Sequence, residues 1–95
     1  MMMDYELEVD ILEHYLGPRQ IRPRHSPDVF GFGIPRTGWW CKFWVNFKDK
    51  YIGWDRSIGE DYTKNTTFVK SFDEILILVR DKDWRKTHGL PELKE

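Results

Sequence analysis

One cysteine, Cys41, stands in the 95 residues. It permits no internal disulfide and no cysteine-built zinc site, which suits a reducing compartment. Long apolar runs are also missing. The longest, Ile75 to Val79, spans five residues, against the roughly 20 that a bilayer-crossing helix needs. Met1-Met2-Met3-Asp4 leads into acids and not into a basic, then apolar, leader, so a cytoplasmic location is expected. Nor does one sign of charge dominate: 15 Lys and Arg against 16 Asp and Glu leave a formal net charge of −1. That balance argues against wholesale DNA binding and equally against an acidic mimic of DNA.

Chemical signatures are equally scarce. Gly31, Gly33 and Gly38 form neither a dinucleotide fingerprint nor a P-loop. His14, His25 and His88 lack mutual metal-ligand spacing and fall on separate elements, so no metal and no cofactor are expected. No nucleophile sits in a pattern with a base, and the chain is not expected to be an enzyme. Phe30-Gly31-Phe32-Gly33-Ile34 has neither the glycine phase nor the leading basic residue of an RNP1 element. An acidic helix start, Ser71-Phe72-Asp73-Glu74, stands where a double-stranded-RNA-binding domain would present lysines to phosphate.

Aromatics are plentiful, at 16 % of the chain, and Gly38 to Ile58 holds four of the five tryptophans. Here Trp39, Cys41, Phe43, Val45 and Phe47 alternate with Trp40, Lys42, Trp44, Asn46 and Lys48. Period-two alternation marks a strand with one buried face, assigned to the odd positions, and one wetter face. Val29 to Ile34 reads as a preceding strand, joined through a turn at Pro35-Arg36-Thr37-Gly38. That turn sets Val29 opposite Trp44, Phe32 opposite Cys41, and Trp40 over Gly33. A two-residue turn at Asp49-Lys50 would pair Lys48 with Tyr51 and Val45 with Trp54. Thr66 to Lys70 reads as a short edge strand.

The flanks read as helices. Asp4 to Leu16 alternates like a strand at first, but acids in its opening turn and the stop Leu16-Gly17-Pro18 favour a helix. Pro18, Pro23 and Pro27 make the following stretch an extended surface connector. Its arginines, Arg19, Arg22 and Arg24 with Arg36 beyond, are expected to neutralise Asp4, Glu6, Glu8, Asp10 and Glu13. Ser71 and Glu74 form a capping box before a helix expected to continue from Phe72 to about His88, with Asp81 and Arg85 as a supporting ion pair.

These elements give an α+β fold: a three- to four-stranded antiparallel sheet packed against two helices, in the order α-β-β-β-(β)-α. It is read as one domain over residues 1–95, with flexible ends at 1–3 and 90–95. Both helices are assigned to the inner face. The outer face would then carry Trp40, Lys42, Trp44, Tyr51 and Asp55, with Arg36 beside them, either as a partner-binding surface or with its tryptophans covered by the N-terminal segment or the proline–arginine connector. Ile77, Trp84 and His88 fall on another side of the last helix, where they either pack on the first helix or form a second contact. The expected function is a small protein–protein interaction module, a regulator or inhibitor of the kind that phage and mobile elements encode. A homodimer through the same face is one form it could take. The alternative is a single-stranded nucleic-acid binder stacking bases on Trp40, Trp44 and Tyr51.

Overall fold

In the computed structural model, residues 5–20, 28–33, 41–54 and 65–94 are described. The chain opens with α1, Glu6–Leu16, and closes with α2, Phe72–Arg80, and α3, Lys82–Thr87. Between them run β1 Arg19–Gln20, β2 Val29–Phe32, β3 Phe43–Asn46, β4 Tyr51–Trp54 and β5 Thr66–Phe68. The strands form one antiparallel sheet in sequence order. The architecture is α+β in the order read from the sequence, with a two-residue edge strand added and the final helix broken in two.

Helix α1 forms because Val9, Leu12 and Leu16 line one side and are buried, while Glu6 and Glu8 sit in the first turn. Gly17, at φ 105°, ends it and returns its N–H to Glu13 O at 3.1 Å. Phe72–Arg80 buries Ile75 and Val79. Glu74 reaches back to the Lys70 N–H at 2.8 Å, one residue before the cap Ser71.

The continuous helix expected from Phe72 to His88 is interrupted at Asp81, whose ψ of 127° is extended. Its carboxylate accepts the Trp84 N–H at 2.8 Å, so Asp81 starts a new helix. The expected Asp81–Arg85 ion pair gives way to this cap, and Arg85 turns inward.

Two rows of side chains build the inner face: Arg19–Phe32–Phe43–Trp54 and Phe30–Val45–Ile52–Thr67. Phe32, Phe43, Val45 and Ile52 meet Val9, Leu12, Leu16, Ile75 and Val79 in one fully buried cluster. Burying each such side chain contributes about 1.5–3 kcal/mol. Tyr5 stacks on Phe47 at 4.5 Å and closes one end.

Both hairpins differ from the expected pairing by two residues. Val29 faces Asn46 and not Trp44, and Val45 faces Ile52 and not Trp54. A shift of two preserves which face each side chain takes. At the second hairpin the cause is a four-residue turn, 47–50. Asn46 O accepts the Lys50 N–H at 2.8 Å, Asn46 Oδ1 accepts the Asp49 N–H at 2.8 Å, and Lys50 adopts φ 61°. A short polar side chain bonding the backbone in this way substitutes for the tight turn. The first turn, Pro35 to Gly38, and the rings of Trp39 and Trp40 lie outside the described residues.

Candidate functional site

All three helices pack on the inner face, so among the described residues the outer face carries strand side chains and Cys41. Its rows are Gln20–Gly31–Trp44–Gly53–Thr66 and Val29–Asn46–Tyr51–Phe68. Trp44 therefore stands between two glycines. A methyl group on Gly53 would collide with the indole, which means the ring lies over the bare backbone of that residue. Asn46 supports the second row, its amide 3.4 Å from the Tyr51 hydroxyl and 3.3 Å from an Asp49 carboxylate oxygen. Tyr51 meets Phe68 edge-on at 5.3 Å.

These contacts correct the expected presentation of the outer aromatics. Trp44 keeps the outward phase, but only 6 % of it is exposed, and Tyr51 is 8 % exposed. Together with Cys41 and Val29 they form a second apolar cluster. Cys41 was assigned to the inner face; it belongs to this outer cluster because pairing begins only at Phe43, after a bend at Lys42. Lys42 is half-buried, its ammonium 5.9 Å from the Phe43 ring centre. Arg36, Trp40 and Asp55 lie outside the described residues. Phe68, which no motif in the sequence marks, is 61 % exposed.

The second candidate group separates. Trp84 and His88 pack on the sheet: Trp84 lies 5.7 Å from Phe43, and His88 lies 4.6 Å from Trp54 and 4.4 Å from Trp84. The break at Asp81 reorients α3 and aims these rings inward. Ile77, before the break, stays 71 % exposed.

Two charged centres hold the helix layer. Arg19 bonds Glu6 at 3.3 Å, Glu13 at 3.3 Å and also Asp10, so the expected neutralisation of acids by arginine is met at this residue. Its backbone N–H, 3.0 Å from Glu13, leads the interactions that hold that carboxyl below the usual range. Arg85 is buried. It donates to Tyr15 O at 2.9 Å, Val79 O at 2.8 Å and Pro91 O at 3.0 Å. Tyr15 and Val79 lie in the last turns of α1 and α2, whose carbonyls have no partner within their helices. A cation there also meets the negative ends of both dipoles. Burial lowers the Arg85 pKa, though a guanidinium stays charged. Leu90 packs on the core.

No described helix is long and apolar enough to cross a membrane. Among the described residues no group of three His, Cys, Asp or Glu is placed to hold a metal ion. No family model, curated protein or solved structure matches the chain.

Proposed function

We propose that this protein is an interaction module, a small regulator or inhibitor that engages a larger protein through the outer face of its sheet. The observation that carries this reading is Phe68. It is a large ring, 61 % exposed, in the last strand of the sheet order, set edge-on against Tyr51. Exposed aromatics backed by a fixed neighbour make effective anchors, because little side-chain freedom is lost on contact. Trp44 and Tyr51 serve this surface as its rigid floor. The anchor therefore moves from the centre of the face, at Trp44, to its β5 edge.

Stacking on single-stranded nucleic acid needs open ring faces. The Trp44 indole faces Gly53 backbone, and Tyr51 is buried against Phe68 and Asn46. These contacts favour the protein partner. The test is affinity capture from a native extract with the full chain and with Phe68→Ser, with and without nuclease. A partner retained after nuclease treatment and in high salt, and lost with Phe68→Ser, is the expected result. Partners unchanged by the substitution, or released by nuclease, would end this reading.

A further inference from the structure

On the helix side of the molecule, away from the outer sheet face, α2, α3 and the segment after α3 enclose a groove of about 670 Å³. Leu90 and Leu93, both half-buried, supply its apolar lining. Arg80, Lys82 and Lys86, all exposed, supply its cations. Arg80 and Lys86 have no carboxylate partner among the described residues. The one acid lining the groove, Glu92, meets Lys82 at 3.6 Å, with both side chains at least three-quarters exposed. A pair that open to water is weak and readily exchanged for another anion.

Two further features shape the groove. Arg85 contributes to its wall, fixed by three carbonyls, so its charge is bound to no acid and adds to the positive potential. Gly89, at φ 72°, leaves open space where a side chain would begin. Another backbone can approach closely there.

We propose that this groove docks an acidic peptide segment of a partner protein, with apolar side chains interleaved among the acids. Charge complementarity selects the occupant: carboxylates replace Glu92 on Lys82 and reach Arg80 and Lys86, while apolar side chains settle on Leu90 and Leu93. The claim stands apart from the outer face, because no residue is shared between the two surfaces.

Fluorescence anisotropy on the full chain tests it with a labelled decapeptide alternating Glu and Leu. Control peptides carry Lys for each Glu, or Ser for each Leu. The Glu/Leu peptide is expected to bind at least about tenfold tighter than either control, and to weaken as salt rises. Arg80→Glu with Lys86→Glu is expected to cost about tenfold or more while leaving the circular dichroism unchanged. Phe68→Ser should leave groove binding intact, which separates this surface from the outer face. Equal affinity for the three peptides, binding indifferent to charge reversal, or no saturable binding would overturn the proposal. Competition by sodium dodecanoate without peptide saturation would overturn it too, since the groove would then suit a small amphiphile.

Discussion

The two faces of the sheet are buried by different means. On the inner face, Phe32, Phe43, Val45 and Ile52 are covered by aliphatic side chains from α1 and α2, which stand above them as a second layer. On the outer face, Trp44 lies against its cross-strand neighbour Gly53, and Cys41, Val29 and Tyr51 close around it. The inner cover comes from residues far away in sequence, whereas the Trp44–Gly53 contact lies within one hairpin. A large ring beside a glycine thus reaches core-like burial on a face that looks, by parity alone, like a wet one.

Truncation of each face is the strongest way to break the comparison. Phe43→Ala and Trp44→Ala should each cost about 3–5 kcal/mol, because both remove a buried ring and leave a cavity. Urea melts check both. A Trp44→Ala cost under about 1 kcal/mol would show that the outer ring is surface and not core. Arg85→Met should follow, at about 2–4 kcal/mol, since it strips the part-buried carbonyl of Tyr15 and the buried carbonyl of Val79 of their donor. It probes the inner side alone, and the same melts measure it.

Gly53→Ala sharpens the contrast. The added methyl must displace the indole, at about 1–3 kcal/mol. In a Trp44→Ala background that cost should vanish, and the double-mutant cycle reads the coupling directly. A pH-dependent effect concerns Cys41, whose thiol burial pushes up to about 12. An unfolded thiol titrates near about 8.5, so the folded chain keeps a proton that the unfolded chain releases. The stability tied to this proton is intact below about pH 8.5 and is lost as pH rises toward about 12. Melts at about pH 8 and about pH 10.5 should show a smaller loss in Cys41→Ala than in the parent chain.

Strand parity from Phe43 to Asn46 and the end of α1 were legible in the sequence because each rests on neighbours a few residues apart. The neutralisation of acids at Arg19 was legible from the blocks of opposite charge. The alternation around Phe43 and Val45, the stop at Gly17 and the edge strand at Thr66–Phe68 all appear in the fold. Turn length was not legible, because Asn46 sets it through side-chain bonds that a two-residue count ignores. The helix break had a signal that was read otherwise: Asp81 stands three residues before Trp84, cap spacing inside an apolar pattern. The exposure of Trp44 could not be read from its phase, since a ring can turn down onto a glycine that parity places beside it. The contact role proposed for the outer face rests on Phe68, whose exposure no local pattern announces.

The guanidinium that reaches Tyr15 O lies 70 residues further along the chain. At ribosomal rates of about 5–20 residues per second, that donor emerges about 4–14 s after its acceptor. During that interval the Tyr15 carbonyl of a nascent α1 lacks the Arg85 donor that it has in the folded chain. Assembly of the helix layer is therefore a late event in the life of each newly made copy, and a pause in translation before Arg85 would lengthen its exposure to proteases.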